Sequence, residues 1–138
     1  MGTIRAVSSH HDRVDAAPQV VELISQFVHA SAGTAGSFSC ASPLVNRIHD
    51  LIVAAIRSNL QSVLTDCPHR EKNGWTGDAH LAAEQAMFNW HNAASYAKWM
   101  MDFKDEQRDT GELPGIVPTS GWGYAWGNGP AWDSAYLL

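Results

Sequence analysis

The sequence predicts an all-α fold with a short strand-like segment ahead of the helices. Three observations lead to this prediction. Apolar residues recur with helical spacing between positions 44 and 56, and again between 96 and 103. The segments between and after these stripes are rich in glycine, proline and polar residues, which indicates long loops. A chain of 138 residues, of which 45% are hydrophobic, fits one domain.

The strand-like segment is Gln19–His29 (QVVELISQFVH). It is rich in Val, Ile and Phe and lies between Pro18 and the small residues of 30–36, a composition that favours a strand over a helix. Residues 1–18 show no periodicity and few large apolar side chains, so we expect the lead-in to be partly irregular. Residues 31–39 are expected to connect the strand to the first helix.

The first helix is predicted to begin at Ser42-Pro43. Serine is a favourable N-cap, and proline is tolerated at the first helical position because its missing N–H would have no partner there. The apolar residues that follow form one face of a helix and are Leu44, Ile48, Leu51, Ile52, Ala55 and Ile56. This pattern fades at residues 59–62, and Pro68, Gly74 and Gly77 exclude a regular helix over 65–77.

Two further helices are predicted after that segment. Asp78 is placed as the N-cap of a helix that runs to about His91, and Asn92 as the N-cap of the next. Gly111 is the expected stop of the third helix. Its apolar stripe is formed by Tyr96, Trp99, Met100 and Phe103. Residues 113–130 are expected to form a loop, and 135–138 to open another apolar helix.

Charge and composition exclude several functions. The net charge is −5, with the Lys and Arg residues dispersed, which disfavours both nucleic acid and a membrane surface as partners. No signal-peptide core is visible, and the apolar runs fall short of the roughly 18 residues of a transmembrane helix. A soluble chain, cytoplasmic by default, is therefore expected. Cys40 and Cys67 are predicted to be free, buried thiols. No zinc-ligand spacing occurs, so neither metal nor cofactor is expected.

The segment from Thr65 to Asp78 concentrates chemistry-bearing side chains. The carboxylates of Asp66, Glu71 and Asp78 occur there together with Arg70, Lys72 and Trp75. One interpretation is a solvated loop with surface ion pairs, which contribute only about 0.2–1 kcal/mol each. The other is a carbohydrate site, because glycoside hydrolysis needs paired carboxyl groups, and arginine and tryptophan can hold a sugar. The residue inventory alone leaves both open.

A resemblance favours the second interpretation. The run DCPHREKNGWTGD (66–78) resembles the signature of the α-L-rhamnosidases of glycoside hydrolase family seventy-eight. FSCASPLVNRIHD, RSNLQSVLTDCP and the stretch from DEQRDTGELPGIVP into GWGYAWGNGPAWDSA are similar to the family in the same order, over roughly residues 36–138. The resemblance implies an (α/α)₆ barrel of six helical hairpins. It also implies that residues 1–35 lead in from a preceding β-domain and that residues 36–138 form the N-terminal part of the catalytic domain.

The resemblance also implies roles for individual residues in hydrolysing terminal α-L-rhamnosyl linkages with inversion. Glu71 matches the general acid. The residues that match substrate-binding positions are Asp66, Arg70, Trp75 and Asp78, with Asp133 near the sugar and Trp122, Trp126 and Trp132 as candidates for an aromatic wall. The expected partner is a rhamnoside, and the oligomeric state is not predicted. Other six-hairpin glycosidases are disfavoured by the 66–78 run.

The family's general base has no counterpart here, because Glu84, Glu106 and Glu112 do not match it. We therefore expect the isolated chain to be inactive, and a non-catalytic rhamnose-binding remnant is the alternative function. Because a barrel closes on itself, apolar faces such as the Tyr96–Phe103 stripe are expected to be partly uncovered, and the chain to be poorly soluble.

Overall fold

A computed structural model describes residues 2–5, 22–119, 121–126 and 129–137. A two-stranded antiparallel hairpin of β1 (Gly2–Arg5) and β2 (Glu22–Ser25) precedes the helices. The helices are α1 (Pro43–Asn59), α2 (Thr76–Asn89), α3 (Ala93–Glu106) and the short α4 (Pro130–Asp133), followed by a 3₁₀ turn at Ser134–Tyr136. The predicted all-α class with a strand-like lead-in is thus confirmed.

The N-terminal hairpin differs in extent from the prediction. The β2 strand lies within Gln19–His29, but its regular part is only four residues long, and positions 19–21 lie outside the described residues. The β1 strand lies in the part of the lead-in for which no strand was predicted. β1 pairs with β2 in a register that places Gly2 opposite Ser25 and Arg5 opposite Glu22. Pairing between segments about twenty residues apart leaves no trace in local periodicity.

Helix α1 begins as its sequence predicts. Ser42 is the N-cap, and its hydroxyl accepts a hydrogen bond from the Val45 N–H at 3.4 Å, while Pro43 occupies the first turn. Ile56 is the buried residue of this helix. The other large apolar side chains of its predicted face are exposed, including Leu44 at 70% and Leu51 at 53%. The uncovered apolar surface therefore lies on α1.

Helix α2 begins three residues earlier than predicted, so Asp78 lies in its first turn and is not the N-cap. Trp75 holds the cap position without a side-chain hydrogen bond. The reason is tertiary: the Thr76 N–H and hydroxyl both donate to the carbonyl oxygen of Gly115, at 3.0 and 3.2 Å. This partner satisfies one of the N–H groups of the first turn that have no acceptor within the helix. The helix ends at Asn89, two residues before the predicted His91.

Helix α3 carries the centre of the core. Asn92 is its N-cap residue, as predicted, although the buried side-chain amide has no hydrogen-bond partner. Trp99 and Phe103 are 3% and 0% exposed, and the Trp99 indole N–H donates to the Val117 carbonyl at 2.8 Å. Phe103 stacks on Tyr136 with 5.3 Å between ring centroids. The loop after α3 and the C-terminal turn thus cover Trp99 and Phe103, whereas Tyr96 and Met100 are only partly buried, so the stripe is partly uncovered, in line with the prediction.

The end of the third helix, the start of the C-terminal helical turn and the burial of Cys40 differ from the predictions. Helix α3 ends at Glu106, ahead of Gly111, which adopts a positive φ of 87° in a following turn. The C-terminal helical turn begins at Pro130 and not at residue 135. Both cysteines are free, as predicted, but Cys40 is exposed and only Cys67 is partly buried. None of the helices in the described ranges is long and apolar enough to span a membrane.

Candidate functional site

The segment that carries the predicted site is anchored to a second loop by a short antiparallel ribbon. Trp75 pairs with Ile116 in a β-bridge, and the Val117 N–H donates to the Gly74 carbonyl at 2.9 Å. Gly74, Ile116 and Val117 are buried, so water competes little for these bonds. The ribbon therefore fixes the backbone immediately after the predicted acid.

Ahead of the ribbon, the chain makes a tight loop between Asp66 and Asn73. The Asp66 N–H donates to the Asn73 carbonyl at 3.0 Å, and the Asn73 N–H donates to Oδ1 of Asp66 at 2.9 Å. Lys72 has a φ of 57°, in the left-handed region that non-glycine residues adopt rarely. One oxygen of Asp66 is thus used to close the loop, and Glu71 is presented from within it.

The Glu71 side chain is held by two neighbouring donors. Its Oε2 accepts from the indole N–H of Trp75 at 2.8 Å, and its Oε1 accepts from Nη2 of Arg70 at 2.5 Å. The Glu71 backbone N–H points to Sγ of Cys67 at 3.1 Å. The glutamate side chain is 27% exposed, whereas that of Arg70 is 76% exposed. The carboxyl is therefore oriented from both sides and open to solvent on the side of Arg70.

Asp66 and Asp78 line a shared cavity of about 350 Å³ between α1 and α2. Partial desolvation is the main cause that raises the pKa of Asp78 above 3.8, although the residue as a whole is exposed. A hydrogen bond to its own backbone lowers this pKa, and the charges of Asp66 and Glu71 raise it again. Three carboxyl groups therefore lie close enough to influence each other, as expected where carboxylates converge.

A row of three tryptophan side chains extends from Glu71. Trp75 meets Trp122 edge to face with 5.8 Å between ring centroids and an interplanar angle of 83°. Trp122 in turn meets Trp126 at 6.2 Å and 84°. Trp126 is 62% exposed, so the chain of indoles leads from the carboxyl of Glu71 out to solvent. Such surfaces suit the apolar face of a sugar ring.

Trp132 and Asp133 lie beside the first turn of α2. A Cβ atom on Gly77 would be 2.8 Å from Cε2 of Trp132, so the indole packs directly on this glycine, next to Asp78. The Asp133 N–H donates to the Gly129 carbonyl at 3.0 Å, and its buried Oδ1 has no partner. The α4 turn therefore brings an unsatisfied carboxylate oxygen to the end of α2 at which Asp78 lies.

The predicted site residues thus form two neighbouring groups. One is joined by direct contacts and consists of Glu71, Arg70, Trp75, Trp122 and Trp126. The other surrounds the start of α2 and consists of Asp66, Asp78, Trp132 and Asp133. Sequence reasoning missed the backbone contact of Cys67 and the close packing at Gly77. The four-residue spacing from Cys67 to Glu71 was the available signal for the first, and the second had none.

The remaining glutamates of the helical region have local roles. An oxygen of Glu106 accepts from the Thr119 N–H at 3.1 Å, and Glu112 pairs with Arg108 at 2.8 Å. Glu84 lines a separate cavity with Phe38. Within the described ranges, no group of three or more His, Cys, Asp or Glu side chains is arranged to hold a metal ion.

Comparison with known proteins gives a consistent result. Residues 33–138 match the model of the bacterial alpha-L-rhamnosidase six-hairpin glycosidase domain. An alpha-L-rhamnosidase of Formosa agariphila is 39% identical over 89 residues, which is 61% of this chain and 9% of that protein. The structure of an alpha-L-rhamnosidase from Dictyoglumus thermophilum superposes with a TM-score of 0.78 and 36% identity, over 88% of this chain and 14% of the other.

A second structure, from Streptomyces avermitilis, is an alpha-L-rhamnosidase complexed with L-rhamnose. It superposes with a TM-score of 0.75 and 32% identity, covering 86% of this chain and 12% of that one. The chain therefore spans about a tenth of the length of the relatives that it matches. Because the family match extends from residue 33 to residue 138 and the helices superpose on these structures, the chain belongs to the six-hairpin glycosidase domain family of bacterial α-L-rhamnosidases, as a portion of its (α/α)₆ fold.

Proposed function

We propose that this chain supplies the general acid and part of the sugar-binding surface for hydrolysis of terminal α-L-rhamnosyl linkages with inversion. The observation that supports this most is the arrangement of Glu71. Its carboxyl is oriented by Trp75, is open on the Arg70 side, and lies near two further carboxylates at a cavity edge. An isolated surface ion pair would not need this surrounding structure.

In this proposal, Glu71 donates a proton to the glycosidic oxygen as the bond to the anomeric carbon breaks. An inverting enzyme needs a second carboxylate, roughly 6.5–9.5 Å away, to activate water on the opposite face of the sugar. Glu106 and Glu112 are engaged in local hydrogen bonds, so neither suits that role. We therefore assign the general base outside this chain. The chain alone is expected not to hydrolyse a rhamnoside.

Asp78 is the best candidate to hold a rhamnose hydroxyl. It faces the cavity that it shares with Asp66, and its own carboxyl is not needed to close the loop. Asp133 adds a carboxylate oxygen without a protein partner. Carboxylates accept hydrogen bonds from sugar hydroxyls strongly, because charge-assisted bonds are about twice as strong as neutral ones. Trp122, Trp126 and Trp132 offer apolar surface for the methyl group of the sugar.

Binding of L-rhamnose to the purified chain tests this proposal. We expect saturable shifts of the indole N–H signals in an NMR titration with L-rhamnose, and weaker shifts with L-mannose, which adds a hydroxyl at the methyl carbon. Asp78→Asn is expected to weaken binding about tenfold, the loss of a charge-assisted hydrogen bond. Asp102→Asn, on α3 and in an exposed pair with Lys98, is the matched control. Equal responses to both sugars would argue against a rhamnose site.

Turnover separates the enzyme from a non-catalytic binding remnant. The chain alone is expected to leave a nitrophenyl α-L-rhamnoside intact, and hydrolysis by it would contradict the assignment of the base outside the chain. When a segment that carries the remaining hairpins is supplied, hydrolysis that is lost in Glu71→Gln supports the acid role. Binding without turnover under those conditions would favour the remnant.

A further inference from the structure

The Trp75 indole is fixed by more contacts than a sugar platform needs. Its backbone pairs with Ile116, its ring edge is covered by Trp122, and its N–H is already used by Glu71. Trp122 is in turn braced by Trp126. The bridge fixes the backbone of Trp75, and rotating the indole away would break its packing against Trp122, so the N–H stays directed at one carboxylate oxygen.

The chemistry of a protonated carboxyl group gives this bond a consequence. Such a group has one hydroxyl oxygen, which donates, and one carbonyl oxygen, which accepts. Oε2 of Glu71 faces the indole N–H, which can only donate, so Oε2 must act as the acceptor. Oε1 also faces a donor, Nη2 of Arg70, but that side chain is 76% exposed and can turn away, whereas the indole is fixed. The proton is therefore held on Oε1.

We propose that Trp75 is a positioning residue that keeps the proton of Glu71 on Oε1, the oxygen on the solvent-exposed Arg70 side. This inference rests on the proposed role of Glu71 as the general acid. It assigns the proton-donating atom and gives Trp75 a function other than contact with the sugar.

Arg70 has a complementary part in this arrangement. Its guanidinium pairs with Oε1 when Glu71 is ionised, but it carries donors only and stays charged. Protonation of Oε1 therefore removes the ionic attraction to Arg70 and weakens this hydrogen bond, and the 76% exposed side chain of Arg70 can turn into solvent. The other titratable groups nearby are Cys67, whose Sγ lies at the Glu71 backbone N–H, and Asp78, which interacts electrostatically with both Glu71 and Asp66.

Hydrogen exchange of the indole N–H groups in the ¹⁵N-labelled chain tests the proposal, and Trp75→Phe assigns the signal. Glu71→Gln mimics the neutral acid at neutral pH. We expect the Trp75 N–H to remain protected in this variant, exchanging at least about fivefold more slowly than that of the exposed Trp126. Trp99 is the internal reference, because its N–H makes a bond of the same 2.8 Å length to a backbone carbonyl.

A pH titration provides the second measurement. In the unsubstituted chain the Trp75 signal is expected to move as the carboxylates titrate, while the Trp99 signal stays in place. In Glu71→Gln the Trp75 signal should no longer move, which separates Glu71 from Asp66, Asp78 and Cys67 as the cause. Exchange of Trp75 at the rate of Trp126 in Glu71→Gln, or an unchanged titration in that variant, would overturn the proposal. Neither measurement needs turnover or bound sugar. The proposed function is tested by rhamnose binding and by hydrolysis, so a failure of one proposal can be distinguished from a failure of the other.

Discussion

Gly74 sets how closely the two strands of the ribbon approach each other. A Cβ atom at this position would lie 2.2 Å from the carbonyl oxygen of Val117 and 3.1 Å from its carbonyl carbon. Both are backbone atoms, so no side-chain rotation can relieve the contact. The glycine is therefore required by space and not by an unusual φ.

We predict that Gly74→Ala lowers the free energy of unfolding by about 3 kcal/mol, because overpacking adds to the loss of the bond from Val117. Urea denaturation followed by tryptophan fluorescence measures this. Gly111→Ala is the control: its φ is 87° but nothing lies within 4 Å of the added carbon. That variant should cost about 1 kcal/mol, from backbone strain alone. Equal losses in the two variants would contradict the steric account.

The raised pKa of Asp78 predicts a pH-dependent stability. The folded chain holds this proton more tightly than the unfolded chain, whose carboxyl has a pKa of 3.8. The stabilising contribution of Asp78 is thus complete below that value and is lost as the pH rises through the folded pKa. The Tm of Asp78→Asn relative to the unsubstituted chain should therefore increase between about pH 3 and about pH 7. A Tm difference that does not change over this range would show that the proton is not held more tightly on folding.

At the residue scale, the 66–78 run predicted which residues belong to the candidate site. It did not predict the hydrogen-bond partners of those residues. Acids, arginine and tryptophan in one irregular segment were compatible with both a solvated loop and a carbohydrate site, and the family resemblance favoured the carbohydrate site. That Trp75 donates to Glu71, and that Asp66 closes a loop on Asn73, depends on tertiary geometry that spacing does not contain. The role of Asp78 as an N-cap was predicted wrongly, because the competing partner of Thr76 is remote in sequence.

Helix α3 shows how an element is stabilised by loops that the sequence leaves undefined. Its apolar periodicity predicts a buried face, and Trp99 and Phe103 are indeed buried. What covers them is irregular backbone around Val117 and a turn at Tyr136, neither of which has a periodic signal. The helix was therefore predictable from the sequence, whereas its packing partners were not.

We predict that Phe103→Ala lowers the free energy of unfolding by about 3–5 kcal/mol, because it leaves a cavity beneath Tyr136. Met101→Ala, on the same helix but 55% exposed, should change it by no more than about 0.5 kcal/mol. Thermal unfolding by circular dichroism compares the two. Similar losses would indicate that the core does not centre on α3.

At the scale of the whole molecule, one apolar face is left to solvent. Leu44 and Leu51 on α1 are 70% and 53% exposed, and Ile48 between them is 46% exposed. Exposed apolar stripes of this kind promote association. The chain spans about a tenth of the length of its matched relatives, in line with a surface that other parts of a larger domain would cover.

We predict that the double substitution Leu44→Lys, Leu51→Lys reduces binding of the dye ANS and light scattering while the Tm stays within about 3 °C, because exposed positions contribute little to folding. Sedimentation of both forms at equal concentration provides the comparison. The control is a pair of lysine substitutions at Arg47 and Arg57, which adds no charge to the same helix. A large fall in the Tm of the leucine variant would mean that the stripe is packed in solution.

The ribbon between residues 74–76 and 115–117 also limits how loop lengths can change during evolution. An insertion of one residue within either strand would slip the register by about 3.3 Å and turn alternate side chains to the opposite face. The indole N–H of Trp75 would then no longer reach the carboxyl of Glu71, although neither side chain had been changed. We therefore expect insertions and deletions among relatives to fall outside these six positions, in the stretches leading up to 115 and following 117. Drift in loop length there can alter the sugar-facing surface while the acid stays in place.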